Sequence, residues 1–234
     1  MTRPLVKICG VARPGDADLA ADLGADLIGL NFYPPSPRCL AVEAAREIAD
    51  AVAGRAPLVG VFVDRPPSEI EEIAGRVGLD LVQLHGDEGP GAAAAFGARA
   101  LKAFRVAPGE GERLDPALLD PYPEAWGFLF DVRHERLYGG TGRAWPYEAL
   151  AGLAAAAGGR PVLVAGGVGP GTARAALLAS GAAGVDVCSG VESAPGVKDP
   201  LLLLRLIEEV HGMSMGAAAD EASMAGDERG ERDG

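Results

Sequence analysis

A (β/α)8 TIM barrel, eight parallel strands with a helical stretch after each, is the fold class this sequence predicts. Three observations lead there. Eight short apolar or β-branched runs recur along the first 190 or so of 234 residues. The stretches between them are rich in Ala, Glu and Arg at helical spacing. Glycine-rich turns follow the seventh and eighth runs, whereas an open doubly wound sheet would carry its glycine fingerprint after the first.

The predicted strands are PLVKIC (4–9), DLIGLNF (26–32), PLVGVFV (57–63), DLVQLH (80–85), ALKAF (100–104), WGFLFD (126–131), PVLVAGG (161–167) and GVDVCSG (184–190). Between them, VEAAREIADAVAG, PSEIEEIAGRVG, EALAGLAAAAG and GTARAALLASG read as helices. PGDAD, PPS and GPGT supply turn or cap chemistry. Alternation of strand and helix is the mark of consecutive βα units and a parallel sheet. The pattern dissolves near Met213. Residues 1–212 are therefore expected to form one barrel domain and residues 213–234 a disordered acidic tail.

Composition narrows the function. The net charge of −12 argues against nucleic acid as a partner. Six acids against two arginines place −4 of it in residues 213–234, leaving −8 elsewhere. No apolar run is long enough for a membrane span, and no signal-peptide pattern opens the chain. Cys9, Cys39 and Cys188 are sparse and lack CxxC spacing, which fits a reduced, cytoplasmic protein. His85, His134 and His211 show no ligand spacing, so no metal is expected.

Chemistry in such barrels gathers at the C-terminal ends of strands. Lys7 and Cys9 end the first strand and share one of its faces. Asn31 and Arg38 follow the second, Gln83 and His85 end the fourth, Asp131 ends the sixth, and Asp186, Cys188 and Ser189 end the eighth. All should converge on one mouth. A lysine on an inward face needs a reason. One is to act as the cation that lowers the pKa of the Cys9 thiol. Gly166 and Gly167 after the seventh strand, with Ser189 and Gly190 after the eighth, read as a phosphate cradle built from backbone amides. Asp64 reads as a helix cap, Trp126 and Tyr122 as outer packing, and Cys39 as incidental. His85 serves equally well as a filler of the barrel mouth or as a substrate contact.

KICGV, FYPPSPR, VGVFVD, VQLHGDE, LFDV, GGTGRAW, AGGV and GVDVCSGVESAPGVKD occur in this order between Val6 and Asp199 or at their edges. In them the chain resembles the phosphoribosylanthranilate isomerases of tryptophan biosynthesis. The resemblance implies an Amadori rearrangement of N-(5-phosphoribosyl)anthranilate to 1-(2-carboxyphenylamino)-1-deoxyribulose 5-phosphate, with no metal or organic cofactor. It implies Cys9 as general base, Asp131 as general acid and Arg38 as partner of the anthranilate carboxylate. Lys7, His85 and Asp186 are further expected substrate contacts. GGTGRAW (139–145) would form a lid, with Gly142 at the phosphate. Arg143 and Trp145 stand there where lysine and phenylalanine are more usual, and Cys188 replaces the usual serine. Two other readings stay open: a related phosphoribosyl-sugar isomerase of the histidine-pathway type, and a barrel that binds phosphosugars without turnover. The former resembles an enzyme with aspartate, not cysteine, at the end of strand one. The oligomeric state is left open.

Overall fold

The computed structural model describes residues 3–107, 109, 112–132 and 147–213. The expected lid at 139–145 with its Gly142, and the expected tail beyond 213, lie outside the described residues. Met213, assigned to the tail from sequence, is buried against the outer core, so packing runs one residue past the expected boundary.

All eight strands form: β1 Leu5–Ile8, β2 Leu27–Asn31, β3 Leu58–Phe62, β4 Leu81–Leu84, β5 Ala100–Val106, β6 Gly127–Val132, β7 Val162–Ala165 and β8 Gly184–Val187. Each pairs in parallel with the next, and β8 pairs with β1 to close the barrel. Residues facing out from the strands, such as Val6, Ile8, Ile28, Phe62 and Phe130, join the helices in the larger of two apolar clusters. The smaller cluster is the barrel's own interior. Leu27, Val59, Leu81, Leu101, Leu129 and Leu163 fill it at the N-terminal end, one from each of six strands. Trp126 packs on this floor rather than on the outside, a correction to the reading from sequence. Tyr122 does lie outside, edge-on to Phe104 with centroids 5.8 Å apart.

Among the described residues, five helices of eight or more residues cover the barrel: α1 Pro14–Asp22, α2 Val42–Val52, α3 Pro67–Val77, α6 Ala173–Ser180 and α7 Pro200–His211. Their buried residues recur at helical spacing, for instance Ile70, Ala74 and Val77 in α3 and Leu203, Leu206, Ile207 and Val210 in α7. The other helices are short. Between β4 and β5 lie α4 Pro90–Ala94 and a 3-10 turn at Gly97–Arg99, and a 3-10 turn at Pro116–Leu119 lies between β5 and β6. The stretch EALAGLAAAAG, expected to be one helix, divides into a 3-10 turn and α5 Leu153–Ala156. Gly152 causes the break, with φ 100°.

Two aspartates tie strand starts together at the floor. Asp26 accepts from the Val6 amide at 2.8 Å, and Asp80 from the Leu58 amide at 2.7 Å. A hairpin, β9 Glu192–Ala194 with β10 Val197–Lys198, links β8 to α7. Asp199 then caps α7, accepting from the amides of Leu201 and Leu202 at 2.9 and 3.1 Å, with Pro200 in the first turn. Asp199→Ala removes that cap and should lower stability by about 1 kcal/mol, read as a reduced urea midpoint at unchanged m-value.

Candidate active site

A cavity of about 420 Å³ opens at the C-terminal end of the strands. Cys9, Arg38, His85, Asp131, Gly166, Gly167, Asp186, Ser189 and Gly190 all line it, although they come from segments far apart in the chain. On several strands the inward face changes from leucine at the floor to polar side chains at this mouth, whereas β3 stays apolar through Val59, Val61 and Val63. β4 shows the gradient in one element, running from Leu81 through Gln83 to His85.

Lys7 is the departure from expectation. It is fully buried beneath the cavity and does not line it, so it makes no direct contact there. Its ammonium donates to Asp186 Oδ1 at 2.7 Å across the β1–β8 seam. Burial by itself would lower the Lys7 pKa. The Asp186 carboxylate and neighbouring Cys9 outweigh that, and the net shift is upward, so Lys7 stays charged. Gly29 on β2 makes room for this group. A Cβ there would stand 3.0 Å from Cys9 Sγ and 3.1 Å from Lys7 Nζ.

The Cys9 thiol is likewise buried, and its pKa is raised in the free protein. Burial is the main cause and the Asp186 charge adds to it, while Lys7 and Lys198 pull in the opposite direction. The expected action of Lys7 on the thiol is therefore present but outweighed. Cys188, on the neighbouring strand, has its own thiol pushed up to about 12 by burial and by the charge Cys9 can carry. It is a neutral filler at physiological pH.

Arg38 reaches the cavity from the loop after β2, but one edge of its guanidinium is occupied. Nε and Nη2 donate to the two carboxylate oxygens of Glu192 at 2.8 and 2.5 Å. Gly10, with φ 65°, lets the arginine stem lie beside Cys188, since a Cβ at that position would overlap both. Opposite Cys9 stand Asp131 and His85, with Asp131 Oδ2 3.6 Å from His85 Nε2. The imidazole is held from behind by Gln83 Nε2, 2.6 Å from Nδ1. Asp64 does not cap α3. It adopts φ 47°, accepts from the Asp87 amide at 2.7 Å, and donates its own amide to Glu88. It thereby fixes the loop that carries His85, and the buried Lys102–Glu88 pair at 2.9 Å anchors the same loop.

The two glycine-rich turns meet edge to edge. Gly166 and Gly167 have φ 87° and 71°, and a Cβ on Gly166 would overlap the Val132 carbonyl. A Cβ on Gly190 would overlap the Val168 carbonyl. Both loops thus border the cavity, with Val168 and Ser189 beside the glycines. Tyr147 buttresses the first loop from below, its hydroxyl donating to Gly166 O at 2.6 Å.

This layout has counterparts in known proteins. The family model for N-(5'phosphoribosyl)anthranilate (PRA) isomerase matches residues 6–209. The chain belongs to the phosphoribosylanthranilate isomerase family. A family relative, N-(5'-phosphoribosyl)anthranilate isomerase of Rubrobacter xylanophilus, is 42% identical over 205 residues, covering 86% of this chain and 96% of its own. The crystal structure of phosphoribosyl anthranilate isomerase from Thermotoga maritima superposes with a TM-score of 0.78 at 32% identity, covering 90% of this chain and all of that one. A further structure of the isomerase holds reduced 1-(o-carboxyphenylamino)-1-deoxyribulose 5-phosphate. It superposes with a TM-score of 0.76 at 31% identity and the same coverage. The chain is an isomerase of tryptophan biosynthesis with the (β/α)8 architecture expected from its sequence.

Arg105, Glu192 and Lys198 carry no expectation from the sequence, whereas Gln83 stands at the mouth as its strand-end position predicts. Arg105 borders the cavity while pairing with Asp87 at 2.8 Å. Glu192 and Lys198 lie within the quoted motif GVDVCSGVESAPGVKD, where two opposite charges in a glycine-rich stretch were the available signal. Lys7→Met should raise the Cys9 thiol pKa further and leave Asp186 as a buried unpaired charge. A loss of about 3–5 kcal/mol is expected in denaturant unfolding, together with an upward shift in the pH midpoint of Cys9 alkylation.

Proposed function

We propose that Asp131 and Cys9 are the acid and base of the family's rearrangement, acting on N-(5-phosphoribosyl)anthranilate bound across the cavity. The observation that carries this reading is that a carboxyl and a thiol from opposite sides of the barrel line one 420 Å³ cavity, bordered by an arginine and two glycine loops. The loops around Gly166, Gly167, Ser189 and Gly190 suit the phosphate, because bare backbone can approach an anion closely. At the other side Arg38 suits the anthranilate carboxylate. With Nε and one Nη2 hydrogen on Glu192, the Nη1–Nη2 edge remains to form a second fork.

With the substrate spanned in this way, Asp131 in its acid form gives its proton to the furanose oxygen. The C1′–O bond breaks and the amine nitrogen lone pair forms the C=N bond of a Schiff base. The Cys9 thiolate then takes the C2′ proton, and that electron pair forms the C1′–C2′ double bond of an enolamine as the iminium charge is quenched. Tautomerisation of the enolamine gives the ketone. His85, 3.6 Å from Asp131, is placed to orient the acid. Asp186 lines the cavity and also acts on the base, through its pair with Lys7 and its charge beside Cys9.

Three free cysteines support a cytoplasmic setting. The charge of −12 supports a small-molecule substrate over nucleic acid.

The test is a steady-state assay on phosphoribosylanthranilate made in situ, following loss of its fluorescence. Cys9→Ala and Asp131→Asn should each lower kcat by about 100-fold or more with the fold intact by circular dichroism. Near-normal turnover in either variant would remove that residue from the mechanism. Because Cys9 works as thiolate and its pKa is raised, kcat/KM of the wild type should climb with pH through the thiol ionisation, at a midpoint above that of an exposed thiol.

A further inference from the structure

Behind Cys9 and Arg38 lies a charge pair that neither the cavity lining nor the reaction scheme includes. Lys198, fully buried at its side chain, stands on β10. Its ammonium donates to the Cys9 carbonyl at 2.6 Å, to the Cys188 carbonyl at 3.1 Å and to Glu192 Oε1 at 3.0 Å. An ammonium has three hydrogens, and all three are spent. Glu192 in turn holds Arg38 through both carboxylate oxygens. The hairpin that carries the pair is pinned on either side. The Lys198 amide donates to buried Asp16 of α1 at 3.0 Å, and the Asp199 amide to Val191 O at 2.9 Å.

We propose that Lys198 and Glu192 are positioning residues which hold the base Cys9 and the carboxylate receptor Arg38 as one connected unit. The inference rests on the roles given above to Cys9 and Arg38. Lys198 fixes the backbone at the end of β1, where the thiol must meet C2′, and sets a positive charge beside it. Glu192 presents the outer edge of Arg38 to the cavity and at the same time tempers the charge of Lys198. A structural tie alone would need no charge on either residue, since a buried ion pair is often replaceable by apolar packing without loss of stability.

The groups facing Cys9 are Lys7 of β1, Asp186 of β8, Cys188 just beyond it, Arg38 from the loop after β2 and Lys198 from the hairpin, while Glu192 stands one contact further, on Arg38, Lys198 and the Cys188 thiol. Asp131 and His85 stand across the cavity. Lys7 and Asp186 balance each other, and Glu192 is shared between Arg38 and Lys198. Neutralising one member of the hairpin pair therefore tilts the field at the thiol in a direction set by its sign.

The experiment uses the full chain and reads two quantities: the pH midpoint of Cys9 alkylation by iodoacetamide, followed on the Cys9 peptide by mass spectrometry, and the pH profile of kcat/KM. Lys198→Met should move both midpoints up by about one pH unit, and Glu192→Gln, which keeps the shape of the side chain, should move both down. Glu192→Gln should also raise KM about 3- to 10-fold with a smaller change in kcat, since Arg38 loses its orienting partner. Should Lys198→Met fail to fold, Glu192→Gln decides alone. A folded Glu192→Gln protein with an unmoved alkylation midpoint and unchanged KM overturns the inference. Turnover surviving in Cys9→Ala would instead overturn the assignment of the base, and the alkylation midpoints would still report whether the pair acts on that thiol.

Discussion

The Lys7–Asp186 ion pair joins side chains 179 residues apart in the chain, at 2.7 Å across the seam where the first strand meets the last. It is buried, and a buried lysine is tolerable only beside its counter-charge. The strand register that pairs Lys7 with Asp186 also sets Ile8 beside Val187, and the next residue on each strand is then a cysteine at the mouth. A slip of one residue would turn Lys7 into the outer apolar layer and the thiol away from the cavity. Closure of the barrel, placement of the Cys9 thiol and its electrostatic setting thus follow from one contact. Around it the layers are consistent: leucines below, the ion pair at mid-height, titratable and glycine-rich elements above.

Electrostatics at the mouth are organised as linked pairs rather than isolated charges. Lys7 answers Asp186, Lys198 answers Glu192, Glu192 also answers Arg38, and Lys102 answers Glu88. Each pair crosses between elements, so each charge does double service as a brace. Glu192 illustrates the consequence. Burial would raise its pKa, but Arg38 and Lys198 together hold it below the ordinary value. Its contribution to stability is therefore present above the carboxylate's usual pKa and is lost only as pH falls through the lowered value.

Most of the fold was legible because strand and helix patterns are local. A period of two in PLVKIC or DLVQLH, and a helical spacing in PSEIEEIAGRVG, report burial of one face without reference to anything distant. The helix expected at 148–158 failed for a reason equally local, since Gly152 at positive φ interrupts it and propensity does not register a single break among alanines. The site was legible as a set of strand ends, because barrel topology brings Cys9, Arg38, His85, Asp131 and Asp186 to one mouth. What sequence did not carry was who touches whom. That Lys7 lies below the cavity, that Arg38 already holds a carboxylate, that Asp64 braces a loop and that Lys198 grips the Cys9 carbonyl all depend on distances between segments with no pattern in common.

The leucine floor has a consequence for traffic. Side chains from six strands close the N-terminal end of the barrel, and Trp126 lies against them. Among the described residues the floor is closed by side chains, and the cavity opens at the other end of the barrel, at the C-terminal ends of the strands. The rearrangement makes an isomer, with the same phosphate, the same carboxylate and nearly the same bulk as the molecule that entered. Product must leave by the way substrate comes in, past the same arginine and the same glycine loops. A molecule built in this manner carries competition between its substrate and its product in its architecture.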